Sequence, residues 1–469
     1  MIRTRLLHWM GLSLMIMGLV GAPVLAETAP PLSAYNADIK QSSISGISSG
    51  AFMAVQFGVA WSSVIEGVGV IAGGPYYCAQ GTATAGLLGN AGPILTATGP
   101  CMQGPPPPLD PLIVQTDEWA RHGDIDDPRN IAHQRIYLFA GYNDTVVNPS
   151  VGDAAYRFYL HYLGGRDPGN LFFQTAIGAG HSQVTVNYGE PCNANEGYYI
   201  DHCNYDQAGI ILEHIYGKLN AKRQGAFSGK LLSFDQREFT SPASPASYSM
   251  AETGYVYVPA DCAALLPCRV HVALHGCKQN FETIGDRYIR HAGYNEWADI
   301  NRLIILYPQT IAGNPAEFEP LNPFGCWDWW GYTNFNYAVK AGRQISTIKA
   351  MLDRLTSRYV PNQAAQAMAA GIVINDVSDT GAALAWSPLA DARGYAVSRA
   401  SAGDSEFKEL GSVVNPSFGD MGLHAATSYN YKVSIMPNGN GVVPSSLSVT
   451  ATTLPVPPRC DNRGSCLVH

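Results

Sequence analysis

Two glycines that flank a serine mark the segment that most constrains the fold of this chain. Gly46-Ile47-Ser48-Ser49-Gly50 follows a strand-like stretch, residues 38–45, and precedes a good helix start, residues 51–57. Glycines surround a serine in this way where a strand turns sharply into a helix, because neighbouring β-carbons would collide in the strained backbone. The pattern predicts a strand–turn–helix unit that presents the hydroxyl of Ser48, with Ser49 as the rival hydroxyl.

Composition argues against several classes of protein. The 469 residues include 29 Lys and Arg against 37 Asp and Glu, and only 14% of them are charged. Such a chain lacks the clustered basic residues with which a sequence-independent nucleic-acid binder neutralises phosphates. With 46% hydrophobic residues, it is typical neither of disordered nor of multi-span membrane proteins. We therefore expect a folded protein without a nucleic-acid partner.

The first 26 residues have the layout of a secretory signal peptide. Arg3 and Arg5 precede an apolar run, residues 6–20, and the small-residue segment Val24-Leu25-Ala26 follows it. A positive start, an apolar middle and small residues before the cleavage site are typical of such signals. An uncleaved membrane anchor is the alternative. We expect cleavage, no membrane association afterwards, and a secreted protein, extracellular or periplasmic.

Cysteine usage fits an oxidising compartment. The ten cysteines are Cys78, Cys101, Cys192, Cys203, Cys262, Cys268, Cys277, Cys326, Cys460 and Cys466. An even number in a secreted chain favours disulfides, and none of the spacings is typical of a zinc site, so no metal is expected. The simplest hypothesis pairs neighbours along the chain, although sequence alone does not fix the connectivity.

The pattern of apolar and polar residues changes along the chain. Residues 27–360 mix strand-like apolar runs with helical stretches, as an α/β domain does, and residues 361–371 form a small, polar linker. Residues 372–454 alternate apolar and polar positions in short runs, which predicts an all-β sandwich. This segment resembles a fibronectin type III module, with Trp386 and Tyr429 or Tyr431 as core aromatics. A C-terminal tail, residues 455–469, completes the chain, and its two cysteines would close a loop.

Candidates for a base and an acid follow the serine. A serine hydroxyl becomes an effective nucleophile only when a histidine takes its proton, and a carboxylate must orient that histidine. Asp144 lies in a loop directly after a predicted strand, residues 135–141, although an ordinary Asn-Asp turn is the alternative. His181 lies in a loop of small residues after a second predicted strand, residues 171–175, with His202 as its competitor.

The order of these candidates indicates a fold. Ser48, Asp144 and His181 follow one another in the order of the α/β-hydrolase triad. The chain should then nearly end, yet α/β texture continues to residue 360. Within it, the strand-like segment Arg269–Leu274 runs into His275-Gly276-Cys277, the kind of loop that supplies an oxyanion-hole amide and normally precedes the serine. A long amphipathic helix is predicted over residues 338–358. These parts predict a circularly permuted α/β-hydrolase domain.

Four segments resemble one family: residues 45–54, Ala72-Gly73-Gly74-Pro75-Tyr76-Tyr77-Cys78, Leu274-His275-Gly276-Cys277 and Cys326-Trp327-Asp328-Trp329-Trp330-Gly331-Tyr332. This is the family of secreted poly(3-hydroxybutyrate) depolymerases whose serine motif lies near the N-terminus. The resemblance covers most of residues 35–360.

The resemblance implies roles for particular residues. Ser48 would be the nucleophile, Asp144 the orienting acid and His181 the base. The backbone amides of Ser49 and Cys277 would bind the oxyanion. A tryptophan of the 327–330 cluster would line the substrate site, the candidates being Trp327, Trp329 and Trp330.

The expected activity is that of a serine esterase that cleaves poly(3-hydroxybutyrate) or its oligomers through an acyl-enzyme, without metal or organic cofactor. The substrate partner would be a polyester or oligoester. Two alternatives remain. One is an esterase for feruloyl or acetyl groups on polysaccharide, and the other is a binding protein with an inert hydrolase fold.

Overall fold

The computed structural model describes residues 29–80, 91–166, 169–313, 319–358, 372–386, 392–404, 406–414, 416–437, 447–455, 459–460 and 466–467. The chain divides into two compact units, one ending at Ser357 and the other beginning at Arg358. The predicted signal peptide and the predicted linker, residues 361–371, lie outside the described residues. No helix within the described ranges is long and apolar enough to cross a membrane.

Eleven strands lie in the described part of the first unit. They are β1 (Ser42–Ile47), β2 (Ile65–Ile71), β3 (Arg135–Phe139), β4 (Leu171–Gln174), β5 (Gln183–Thr185), β6 (Glu190–Pro191), β7 (Ile200–His202), β8 (Lys230–Asp235), β9 (Thr253–Val258), β10 (Arg269–Leu274) and β11 (Leu303–Tyr307).

Its α-helices are α1 (Ser49–Ala60), α2 (Ala91–Thr98), α3 (Pro100–Gln103), α4 (Leu109–His122), α5 (Pro149–Tyr162), α6 (Gln207–Tyr216), α7 (Ala260–Ala263), α8 (Phe281–Ile284), α9 (Arg287–His291), α10 (Tyr294–Ala298) and α11 (Arg343–Thr356). Helix α11 is shorter than the predicted helix over residues 338–358. It begins after Gly342, where a β-carbon would lie 2.6 Å from the carbonyl oxygen of Tyr337, so the preceding residues turn back on themselves.

Eight strands form one central sheet in the order β4-β3-β2-β1-β10-β11-β9-β8. Neighbours from β4 to β11 are parallel, whereas β9 is antiparallel to both β11 and β8. Strand β1 pairs with β2 on one side and with β10 on the other. The two halves of the sequence thus join at the β1–β10 pair in the middle of one sheet. This confirms the circularly permuted α/β-hydrolase fold.

Hydrophobic cores lie on both faces of this sheet. One contains residues of α1, α4, α5 and α11, and the other contains residues of α6, α8, α9 and α10. All twelve residues of α1 are buried, which fits its nearly uninterrupted run of small and apolar side chains. Its one large polar side chain, Gln56, donates through Nε2 to the carbonyl oxygen of Asp328 at 3.0 Å. The helix that follows Ser48 is therefore held on every side.

Four disulfides join cysteines that neighbour each other along the chain, in agreement with the simplest pairing: Cys78–Cys101, Cys192–Cys203, Cys262–Cys268 and Cys277–Cys326. The remaining two cysteines face each other in a short pair of strands, β19 (Arg459–Cys460) and β20 (Cys466–Leu467), whose side chains lie outside the described part of the structure.

The second unit is a fibronectin type III-like β-sandwich. Its strands are β12 (Ile372–Val377), β13 (Gly381–Trp386), β14 (Ala392–Ser401), β15 (Lys408–Val413), β16 (Ser417–Met421), β17 (Ser428–Pro437) and β18 (Leu447–Thr452). They form a three-stranded sheet, β12-β13-β16, and a four-stranded sheet, β15-β14-β17-β18, both antiparallel. Trp386, Tyr429 and Tyr431 are buried in its core, as expected. The hydroxyl of Tyr429 accepts from the N–H of His424 at 3.0 Å, a bond typical of the late-strand tyrosine of such modules.

Candidate active site

Ser48 occupies the sharp turn between β1 and α1. Its φ of +56° is unusual for a residue with a side chain, and its N–H donates to the carbonyl oxygen of Ile71 at 2.9 Å. A β-carbon on Gly46 would lie 2.3 Å from the carbonyl oxygen of Gly50, and one on Gly50 would lie 2.4 Å from that of His275. Both glycines are therefore required by close backbone contacts, and the strand–turn–helix prediction agrees with the structure.

Asp144 and His181 form a buried pair in the loops that follow β3 and β4. Nδ1 of His181 lies 2.8 Å from Oδ2 of Asp144, and the two side chains are 4% and 1% exposed. The other carboxylate oxygen, Oδ1, accepts from the N–H groups of Val146 and Val147, both at 2.8 Å. The carboxylate is thus fixed from both sides, and Nε2 is the nitrogen of His181 that remains for other contacts.

One cavity brings the serine and the histidine together. Ser48 and His181 both line a cavity of about 360 Å³ at the carboxyl ends of the parallel strands. In contrast, the rival hydroxyl of Ser49 is buried and accepts from the N–H of Trp327 at 3.2 Å. The rival base, His202, is exposed, and its Nδ1 lies 3.2 Å from the carbonyl oxygen of Gly189. Neither of these two residues lines the cavity.

The loop after β10 also reaches the cavity. Gly276 and Cys277 line it, and the Cys277–Cys326 disulfide ties this loop to the tryptophan segment. Among the described residues, the N–H of Cys277 donates to no other group. The N–H of Ser49, in the first turn of α1, has no acceptor within its own helix. Two backbone donors from distant parts of the sequence are thus near Ser48.

His275 is structural rather than reactive. Its imidazole is buried, which lowers its pKa to about 4, and Nδ1 lies 2.8 Å from the carbonyl oxygen of Gly276. Its own carbonyl oxygen accepts from the indole N–H of Trp327 at 3.0 Å. A neutral histidine therefore holds the loop that carries Cys277.

The three predicted tryptophans divide into two groups. Trp329 and Trp330 line the cavity, Trp329 stacking on Phe52 of α1 at 4.0 Å between ring centroids. Trp327 differs from the expectation, because it is fully buried and does not line the cavity. Its indole and its backbone N–H bond to His275 and Ser49, so it connects the loop after β10 with the start of α1.

Most of the larger side chains that line the rest of the cavity are apolar, and we call them the apolar wall: Ile94, Met102, Val146, Leu321, Phe324, Trp329 and Trp330. Leu321 and Phe324 are 59% and 52% exposed, so part of the apolar wall is open to solvent. Among the described residues that line the cavity, Lys278 alone carries a permanent charge. The described residues contain no group of three or more His, Cys, Asp or Glu that could hold a metal ion.

Two side-chain amides that no sequence motif indicated also support the site. Asn195 accepts through Oδ1 from the N–H of His181 at 3.0 Å and from that of Thr145 at 2.9 Å. Gln279 accepts through Oε1 from the N–H of Gly276 at 2.7 Å. Neither side chain belongs to a periodic pattern or a motif. The nearest signal was the pairing of Cys192 with Cys203, which encloses Asn195 in a short loop.

Fold and site together define the class of protein. A mostly parallel sheet with a serine at a strand-to-helix turn, and an acid and a histidine on loops at the same edge, is the arrangement of an α/β-hydrolase. No protein-family model matches the chain. The chain is 37% identical over 416 residues to a poly(3-hydroxybutyrate) depolymerase of Delftia acidovorans, covering 87% of this chain and 78% of that protein.

A polyhydroxybutyrate depolymerase of Talaromyces funiculosus is 37% identical over 353 residues, covering 72% of this chain and 96% of that protein. The chain therefore belongs to the poly(3-hydroxybutyrate) depolymerase family. Among solved structures, it is similar to the depolymerase of Penicillium funiculosum and to a serine-to-alanine depolymerase variant complexed with an R3HB trimer. Each is 35% identical, with a TM-score of 0.60, over 70% of this chain and 98% of the solved one.

Proposed function

We propose that this protein hydrolyses the ester bonds of poly(3-hydroxybutyrate) or its oligomers, with Ser48 as nucleophile, His181 as base and Asp144 as the residue that orients the base. The observation that carries the proposal is that Ser48 and His181 line the same cavity, while Nδ1 of His181 is bonded to Asp144 and Nε2 is left for the serine. A histidine held in this way presents the unprotonated nitrogen that a general base needs.

The chemistry is acyl transfer in two halves. His181 takes the proton of the Ser48 hydroxyl while Oγ attacks the ester carbonyl carbon, giving a tetrahedral intermediate. That proton passes to the alkoxy oxygen, the carbon–oxygen bond breaks, and a hydroxyl-ended fragment leaves. A water molecule then attacks the acyl-enzyme, giving its proton to His181, and the carboxylic acid leaves as Ser48 regains a proton.

The negative charge of each tetrahedral intermediate would rest on the backbone N–H groups of Ser49 and Cys277. Donors of this kind contribute roughly 3 kcal/mol each to the stability of a transition state. The absence of a partner for the Cys277 N–H among the described residues supports this role. The Cys277–Cys326 disulfide and the buried His275 hold that donor in place.

The apolar wall supports a polyester substrate. Poly(3-hydroxybutyrate) presents methyl and methylene groups and carries no charge along its length. Aromatic faces such as those of Trp329 and Trp330 contact such groups at little cost in conformational entropy. The relative complexed with an R3HB trimer supports an oligoester ligand.

The predicted signal peptide and the four disulfides of the first unit support secretion, extracellular or periplasmic. Recovery of the chain without residues 1–26 from culture medium or periplasm would test this assignment.

The decisive experiment measures clearing of an amorphous poly(3-hydroxybutyrate) suspension by the wild type, Ser48→Ala and His181→Ala. We expect the wild type to clear it and each variant to lose about 10⁴-fold or more in rate. His122→Ala is the matched control, since that imidazole is exposed at the end of α4 and lies outside the cavity, so its loss should leave clearing intact.

Three results would contradict the proposal. Clearing that survives Ser48→Ala or His181→Ala would remove the assigned roles. Hydrolysis of feruloyl or acetyl esters without attack on the polyester would change the substrate class. Failure of the wild type to react with an organophosphonate probe would indicate an inert binding protein.

A further inference from the structure

The short segment closed by the Cys192–Cys203 disulfide contacts the loop that carries His181. The N–H of Gly180 donates to the carbonyl oxygen of Cys192 at 2.8 Å, and the N–H of His181 donates to Oδ1 of Asn195 at 3.0 Å. A β-carbon on Gly180 would lie 1.8 Å from the carbonyl oxygen of Ala194. The base loop therefore lies directly against this segment, with no room for a side chain between them.

The same segment also holds the loop that carries Asp144. Oδ1 of Asn195 accepts from the N–H of Thr145 at 2.9 Å, and Nδ2 of Asn195 donates to the carbonyl oxygen of Asn143 at 3.0 Å. One side chain thus bonds to the residue before Asp144, to the residue after it and to His181 itself.

A third connection reaches the loop of the oxyanion donor. Nε2 of Gln279 donates to the carbonyl oxygens of Tyr198 and Tyr199, both at 2.9 Å, and Oε1 of Gln279 accepts from the N–H of Gly276 at 2.7 Å. Gln279 is 1% exposed, so water does not replace these bonds easily. The amide of Gln279 thus connects the disulfide-closed segment with the residue before Cys277.

We propose that the segment Cys192–Cys203 sets the mutual positions of the acid, the base and the oxyanion donor. The positioning residues are Asn195, within the segment, and Gln279, which bonds to the segment from the loop after β10. This inference rests on the proposed function. The three loops follow β3, β4 and β10. Strands β3 and β4 are neighbours in the sheet, whereas β2 and β1 separate β3 from β10. Because the segment bonds to all three, a shift in it moves the reacting groups relative to each other, and misplacement by about 1 Å can cost about 100-fold in rate.

The test compares Asn195→Ala and Gln279→Met with a matched control, Asn301→Ala. Asn301 also joins two loops through its amide, accepting from the N–H of Asn220 at 2.8 Å and donating to the carbonyl oxygens of Asn220 and Trp297. It precedes β11 and so lies at the amino ends of the parallel strands, whereas the cavity lies at their carboxyl ends. The control should lose stability without losing turnover.

The measurement is kcat and KM on p-nitrophenyl butyrate, per active site titrated with an organophosphonate, together with the midpoint of thermal unfolding. We expect Asn195→Ala and Gln279→Met to lower kcat by about 10- to 100-fold with KM changing little. Titration counts only folded, reactive molecules, so partial unfolding does not imitate the effect.

Asn195→Asp tests the mechanism more sharply. Its carboxylate keeps an acceptor for the N–H groups of Thr145 and His181 but loses the donor to Asn143. We expect its kcat to lie between those of the wild type and Asn195→Ala, even if both variants unfold at the same temperature.

Removal of the disulfide with Cys192→Ser and Cys203→Ser should also lower kcat, as Asn195→Ala and Gln279→Met do. Variants of Asn195 and Gln279 that match Asn301→Ala in kcat would overturn the inference while leaving the proposed function intact. A wild type without esterase activity would overturn both.

Discussion

The two walls of the cavity are built by different means. The polar wall is formed by His181, which lines the cavity, and is supported by Asp144, which does not line it but bonds to Nδ1 of His181. Both residues are buried and fixed by hydrogen bonds to groups on several loops. The apolar wall, which includes Leu321, Phe324 and Trp330, is partly exposed, and its tryptophan rings are held by packing. Hydrogen bonds define position more narrowly than apolar contact does.

This difference indicates that the two walls have different functions. The polar wall determines the geometry of bond making and breaking, which requires narrow positioning. The apolar wall offers surface to a ligand without specifying one orientation at each atom. Substitutions in the polar wall should therefore change kcat, and those in the apolar wall should change KM.

Asp144→Asn should give the largest effect. An amide in place of the carboxylate donates to Nδ1 of His181 instead of accepting from it, which favours the wrong tautomer of the imidazole. We expect kcat on a soluble ester to fall by about 10⁴-fold. Asp206→Asn is the control, since that carboxylate accepts from the N–H of Gly209 and pairs with Lys222 outside the cavity. A loss of less than tenfold would mean that the polar wall does not control turnover.

Trp330→Ala should give an intermediate effect, confined to binding. Trp330 is half-buried and also lines a second cavity of about 450 Å³ beside the first. Loss of its contact surface should raise KM for an R3HB trimer by about tenfold while kcat stays near the wild-type value.

Trp329 is the informative contrast to Trp330, because it is buried and stacks on Phe52 beside the serine. We expect Trp329→Ala to cost about 3–5 kcal/mol of stability. Equal effects of the two substitutions on KM and on unfolding would show that the apolar wall is not divided in this way.

How well the sequence predicts the fold and the site depends on how far apart along the chain the contacting residues lie. Local patterns sufficed for the turn at Ser48 and for the loops of Asp144 and His181, because each follows a strand with a recognisable apolar run. The join of β1 with β10 followed from the order of these parts. The burial of Trp327 and the bonds of Asn195 and Gln279 did not follow, since they depend on which loops meet in three dimensions. A cluster of tryptophans looks alike in sequence whether a ring faces a cavity or the core.

Asp201→Asn should give the smallest effect, seen as a change in the pH dependence of stability. Asp201 is buried in β7, where its register partners include Glu190 of β6. Burial raises the pKa of its carboxyl group to about 7, against a smaller opposing effect of the Ser182 hydroxyl. In the unfolded chain the group ionises near its ordinary pKa of 3.8, so the unfolded state loses this proton first as the pH rises. The free energy of unfolding of the wild type should therefore fall between about pH 4 and about pH 7 from this group alone.

An asparagine at position 201 has no proton to lose, so the unfolding midpoint of the variant relative to that of the wild type should rise over this interval. Asp299→Asn should behave in the opposite way. Burial alone would raise the pKa of its carboxyl group, but hydrogen bonds from Tyr257, from the backbone of Ser228 and Gly229 and from Arg223 together lower it to about 2. Its stabilisation is present above about pH 4 and is lost as the pH falls toward about 2, so this variant should be less stable at pH 7 and approach the wild type in acid. Parallel curves for wild type and Asp201→Asn would show that the carboxyl group at position 201 ionises alike in the folded and unfolded states.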